Sequence, residues 1–147
     1  MDEGKAPDSS SAQQLAQLLS QAERGVTRQL GRVLEEEGST VEEWRTLVLL
    51  ADGTSHPMSE IAEFALLPAP TLTRLIDRMV ADNLAYRKPD LRDRRRVLVH
   101  ITPRGRALHR KLAGRIDESH AKILAAADPD DVAHLAALLT DLAARLR

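Results

Sequence analysis

A chain of 147 residues and 16.2 kDa is one domain's length, enough to bury a core. It has no cysteine, which excludes disulfides, thiolate nucleophiles, Cys-ligated zinc and thiol redox sensing. No run approaches the ~20 apolar residues of a membrane span, and the polar Met1–Ser11 stretch has no signal-peptide core, so a cytoplasmic protein without membrane contact is expected. Apolar residues make up 43% of the chain but aromatics only 2%, the rest being chiefly Leu and Ala. That composition favours helices over a sandwich or barrel, and it argues against modules that stack single-stranded bases on aromatic platforms.

The net charge of −1 conceals a strong asymmetry: residues 1–83 carry −7, residues 84–115 carry +9 and residues 116–147 carry −3. A block that basic within an acidic protein is a candidate footprint for a polyanion. The plain alternative is a solvated helix face.

In chain order, residues 1–8 are expected to be frayed. From Ser10 or Ser11 a long helix carries Leu15, Leu18, Leu19, Ala22, Val26, Leu30, Val33 and Leu34 on one stripe and ends at Gly38. Thr40 and Glu43 form a capping box that opens a second helix, with Trp44, Leu47, Val48 and Ala51 inward and Asp52-Gly53 as its stop. After a loop containing His56-Pro57, Met58–Leu66 reads as a short third helix bearing Ile61, Phe64 and Ala65. A fourth runs from Pro70, suited to the first helical position, to Asn83, with Leu72, Leu75, Ile76, Met79 and Val80 inward. Its opposite face shows Thr71, Thr73, Arg74, Asp77 and Arg78.

The period then changes to that of strands. Leu84–Lys88 and Arg95–Ile101 predict a β-hairpin whose Val97, Val99 and Ile101 share a face, joined by the charged turn Pro89–Arg94. Thr102-Pro103 opens a fifth helix, through Leu108, Leu112, Ile116 and Ile123 to about Ala127. Asp128-Pro129 opens a sixth, with Val132, Leu135, Leu139, Leu142 and Leu146 recurring by threes and fours.

Short helices followed by a basic hairpin predict a mainly α protein with a small β-hairpin wing, a winged helix-turn-helix over residues 40–101. The terminal helices, 10–37 and 103–147, have leucine stripes that need a partner. They are expected to form one dimerisation lobe shared between two chains of a single-domain protein spanning 1–147; a monomer folding them back on its own core is the alternative.

Arg87-Lys88-Pro89-Asp90-Leu91-Arg92-Asp93-Arg94-Arg95 resembles the R-x-x-D-x-x-D-x-R wing signature of the MarR family of bacterial transcriptional regulators. Val97, Val99, Ile101-Thr102 and Gly105 extend it as the V-x-V-x-L-T-x-x-G tail, with Ile for Leu. Upstream, Met58–Ala62 and Thr71–Arg78 resemble that family's helix-turn-helix. Two positions depart from the pattern. Pro68 stands where a capping Ser or Asp is usual, and the turn Leu66-Leu67-Pro68 lacks a glycine, so the start of the recognition helix and its angle to the third helix are where this chain is expected to differ.

The resemblance implies a dimeric, sequence-specific regulator, a repressor released by a small phenolic or aromatic ligand and associated with the nucleoid. On the recognition helix, Thr71, Arg74 and Arg78 lie at i, i+3 and i+7 with Thr73 beside them and Pro70 at the helix start. Arg can bond guanine O6 and N7 together, and Thr can meet a phosphate or a thymine methyl. Surface pairing of Arg74 and Arg78 with Asp77 or Asp82 is the competing account. In the wing, the resemblance makes Arg95 the side chain that enters a narrow minor groove, held by Asp93 through a charge-assisted bond, while Arg92, Arg94 and Arg96 meet phosphates. Two such protomers imply a pseudo-palindromic operator with half-sites roughly 10 bp apart.

The five histidines are scattered, with no H-E-x-x-H, phosphate loop or G-x-S-x-G. No enzyme, metal or cofactor is expected. The family's ligand crevice would draw here on Arg28, Trp44, Arg45 and Arg110, although Trp44 also suits plain core packing. The competing function is a helical protein-interaction module without specific DNA binding.

Overall fold

Residues 9–146 are described by a computed structural model; the leader expected to fray, residues 1–8, lies outside them. The elements run α1 (Ser9–Glu36), α2 (Val41–Leu50), β1 (His56–Pro57), α3 (Met58–Ala65), α4 (Ala69–Ala81), β2 (Ala85–Pro89), β3 (Val97–Ile101), α5 (Pro103–Leu124) and α6 (Pro129–Arg145). The chain forms two compact units divided between Leu112 and Ala113, within α5.

In the first unit, local backbone chemistry sets where each helix stops. At the end of α1 the Gly38 amide donates to Glu35 O and the Ser39 amide to Leu34 O, at 3.0 and 2.9 Å, with Gly38 at φ 71°. This is a Schellman ending, which needs a left-handed residue. The same pair of bonds closes α3 around Leu66 (φ 59°) and α4 around Asn83 (φ 58°). Leu66 thus takes the left-handed role that glycine usually fills between the helices of such a motif, at a cost of roughly 1–2 kcal/mol.

Helix starts follow their caps. Thr40 Oγ1 accepts from the Glu43 amide at 3.2 Å. The return half of the expected box does not form, because the Glu43 carboxylate instead accepts the hydroxyl of buried Ser39 at 2.6 Å. Within α2 the buried residues are Thr46, Leu47 and Leu50, while Trp44, Val48 and Ala51 are half-buried. Thr46 goes inward because its hydroxyl donates to Glu42 O at 2.9 Å, which leaves its methyl for the core.

His56-Pro57 is not loop but β1, which adds a third strand to the hairpin in the order β1-β3-β2, with His56 opposite Val99. In the short α3 the buried residues are Ile61 and Ala65, while Phe64 is 47% exposed. In α4, Leu72, Leu75, Ile76 and Met79 are buried and Val80 is exposed. The helix begins at Ala69, which puts Pro70 at the second helical position, behind a Pro68 cap that makes no side-chain bond.

Strands β2 and β3 pair antiparallel from Ala85 opposite Ile101 to Pro89 opposite Val97. Val99 and Ile101 enter the core, whereas Val97, toward the tip, is 41% exposed. On the sheet, Tyr86 stacks on His100 directly opposite, 4.9 Å between centroids. α5 starts on buried Thr102, whose hydroxyl donates to Asn83 O at 2.6 Å and accepts the Gly105 amide at 2.9 Å.

In the second unit, Asp128 Oδ1 caps α6 by accepting the Asp130 amide at 2.8 Å. No residue of α6 is buried. Val132 and Leu142 are half-buried, and Leu135 and Leu139 of the same stripe are exposed. Ile123 of the expected α5 stripe is 48% exposed, and that helix ends at Leu124 rather than Ala127. Among the described residues no helix is long and apolar enough to cross a membrane.

Candidate nucleic-acid interface

The interface is built on the first unit, from α4 and from the loop between β2 and β3. Burying Leu72, Leu75, Ile76 and Met79 turns the other side of α4 outward, so Pro70, Thr71, Thr73, Arg74 and Arg78 are all exposed. Thr71, Arg74 and Arg78 line one groove of about 420 Å³ together with Thr40, Glu42, Leu67 and Leu75. Thr73 spends its hydroxyl on Ala69 O, at 3.0 Å. Asp77, on the same face, is bound to Arg87 of β2 at 2.6 Å. Asp77 therefore ties the helix to the wing strand instead of pairing with the outward arginines of α4.

The loop Asp90–Arg96 is braced by its own backbone. The Asp90 amide donates to Arg96 O and the Arg96 amide to Asp93 O, each at 2.9 Å. Its two carboxylates form paired Asx turns: Asp90 Oδ1 accepts the Arg92 amide at 2.9 Å and Asp93 Oδ1 accepts the Arg95 amide at 3.0 Å. The bond expected between Asp93 and Arg95 is therefore present, but to the main chain and not to the guanidinium. Arg92, Arg94, Arg95 and Arg96 are exposed. Arg95 and Arg96 also line a groove of about 310 Å³ with Pro57, Met58, Ser59 and Val97, beside the start of α3.

Behind β1 lies a polar cluster that spacing alone did not reveal. His56 is buried, its Nε2 2.9 Å from Asp52 Oδ2 and its Nδ1 3.1 Å from Glu60 Oε2. The second contact lacks hydrogen-bond alignment and is an ion pair when His56 is protonated. Asp52 also accepts the amide and hydroxyl of Thr54 through Oδ1, at 2.8 and 2.9 Å. Burial disfavours an imidazolium here, but the two carboxylates outweigh it and raise the His56 pKa above its usual value. The signal was present as carboxylates at i−4 and i+4, straddling a loop where helical spacing is not normally sought.

The four residues expected around a ligand are less uniform. Trp44 is half-buried and stacks on His109, 5.2 Å between centroids, and burial lowers the His109 pKa. Arg45 is half-buried, Arg28 and Arg110 are exposed, and none of the four lines either groove described above.

A helix-turn-helix whose second helix turns two arginines outward, tied to a hairpin with five more, is a winged helix-turn-helix of the DNA-binding class. The chain resembles the MarR family of transcriptional regulators, whose family model matches residues 40–97. It is 27% identical over 112 residues to the homoprotocatechuate degradative operon repressor of Escherichia coli, 76% of each chain. AbsC, a MarR family transcriptional regulator of Streptomyces coelicolor, superposes with a TM-score of 0.78 at 26% identity, over 97% of this chain and 98% of that one. NadR in complex with 4-hydroxyphenylacetate gives a TM-score of 0.75 at 25% identity, over the same shares of the two chains.

Proposed function

We propose that the protein is a homodimeric repressor that binds a pseudo-palindromic operator and leaves it when a small aromatic or phenolic compound binds. The carrying observation is that Arg74 and Arg78 face outward on α4 while Arg92, Arg94, Arg95 and Arg96 surround a braced loop joined to that helix through Asp77 and Arg87. In this reading Thr71, Thr73, Arg74 and Arg78 meet bases and phosphates in the major groove, with Pro70 opening the helix beside them. Arg95 enters the minor groove from a backbone set by Asp93, and its three arginine neighbours meet phosphates. The exposed Leu15, Leu18, Leu135 and Leu139 support a dimer, because two copies are the simplest way to cover terminal stripes of this kind.

Selection from a randomised duplex library tests this reading. The expected product is a two-fold-related site with half-sites about 10 bp apart, bound by two protomers against random competitor, with affinity falling steeply with salt. Arg95→Ala is expected to cost about 10- to 100-fold, more than Arg92→Ala, Arg94→Ala or Arg96→Ala. No enriched sequence, or a flat salt response, would favour the interaction-module alternative.

The likeness to a 4-hydroxyphenylacetate complex supports a phenolic acid as effector, with Trp44 and Arg45, and Arg28 or Arg110 as cations, at its site. Trp44 is the only tryptophan in the chain. Titration with 4-hydroxyphenylacetate is therefore expected to change the intrinsic fluorescence and to release operator over the same concentrations. Release without any change in Trp44 emission would move the site elsewhere.

A further inference from the structure

Leu91 stands at the tip of the wing, between Asp90 and Arg92, with 98% of its surface exposed. An isolated surface leucine needs no explanation by itself. This one differs because the loop holding it is fixed. Two cross-loop backbone bonds and two Asx turns brace Asp90–Arg96, and none of them involves the Leu91 side chain. The folded monomer therefore leaves it uncovered, and the loop presents it in a defined place. Its surroundings name what would cover it. Arg92, Arg94, Arg95 and Arg96 follow within five residues, a charge density that repels cationic surfaces and draws the tip toward a polyanion.

We infer that Leu91 is a minor-groove contact that packs against the deoxyribose edges of duplex DNA beside Arg95, while Arg92, Arg94 and Arg96 take the phosphates. The inference rests on the proposed operator reading and deepens it by adding an apolar, uncharged contribution to a wing otherwise understood through charge. The chemistry suits the site. The walls of the minor groove are sugar C–H groups, and leucine is among the apolar side chains that minor-groove proteins insert there. An apolar contact also releases no counterions, so its loss should not alter the salt dependence.

The test uses the full-length chain, the selected operator, and affinities measured at several salt concentrations. Leu91→Ala is expected to weaken binding about three- to tenfold, with the slope of log affinity against log salt unchanged. Leu91→Met, which keeps an apolar side chain of similar reach, should restore most of the loss. Arg92→Ala should flatten the slope by about one unit. Leu91→Ala binding like the parent protein would overturn the inference while leaving the operator reading intact. A lower affinity accompanied by a changed slope would overturn it too, since that would mean a disturbed arginine arrangement. Failure of the parent chain to select any operator would instead remove the reading on which the inference stands.

Discussion

Replacing Gly105 with alanine is expected to destabilise the fold by about 3 kcal/mol. Helix propensity alone points the other way, since exchanging glycine for alanine inside an exposed helix stabilises by up to ~1 kcal/mol. Packing decides against it. A Cβ at this position would collide with the carbonyl oxygen of Leu84 and lie 2.8 Å from Ile101 Cγ1. The carbonyl cannot retreat cheaply, because it accepts the Thr102 amide at 3.0 Å. That bond, the Thr102 hydroxyl on Asn83 O and the Gly105 amide on Thr102 Oγ1 together fasten the first turn of α5 to the segment entering β2. Urea unfolding monitored by circular dichroism measures the effect, and a midpoint that stays or rises would show that the first turn of α5 has room to shift.

Stability is also expected to fall as pH is raised above the ordinary histidine value of about 6.5, through the His56 cluster. A histidine whose folded pKa is raised binds its proton more tightly in the native state. Its stabilising contribution is complete below the ordinary histidine value of about 6.5 and disappears as pH climbs through the raised one. Asp52 behaves oppositely. The Thr54 amide, followed by His56, holds its pKa below the usual carboxylate range. Its contribution is present above that range and lost as pH falls through the lowered value. The cluster is therefore strongest between the two. His56→Ala is expected to cost about 2 kcal/mol at neutral pH by leaving a buried site without its hydrogen-bonding ring, and to abolish the alkaline decline. Thermal unfolding at a series of pH values separates the possibilities; an equal decline in the alanine variant would assign it to another group.

Helix starts were legible in the sequence because capping is local chemistry. Thr40, Thr102 and Asp128 each sit immediately before a helix in the structure. Helix faces were legible where apolar residues are sparse, as in α4, and less so in α2. Its run Leu47-Val48-Leu49-Leu50 has no unique phase, and the choice of inward residues fell to a threonine satisfied by its own helix. Strand β1 was not legible: two residues, one of them proline, show no alternation and exist as a strand only because Leu98 and Val99 lie opposite. The outward face of α4 was legible from spacing, and the exposed arginines of the hairpin from its charge and its resemblance to the wing signature. Their bracing was not, because Asp77 finds Arg87 across ten positions and Asp93 bonds an amide where a charge pair looked more natural.

The construction of the wing has an evolutionary corollary. Its curvature is written in main-chain amides and two aspartates, and the side chains at 91, 92, 94, 95 and 96 take no part in that scaffold. Each of those positions is thus open to exchange one at a time, without refolding the loop. A lineage could change the charge and shape of the tip while inheriting the same hairpin, and an engineer could graft another tip sequence between Asp90 and Val97 provided that Asp93 is kept.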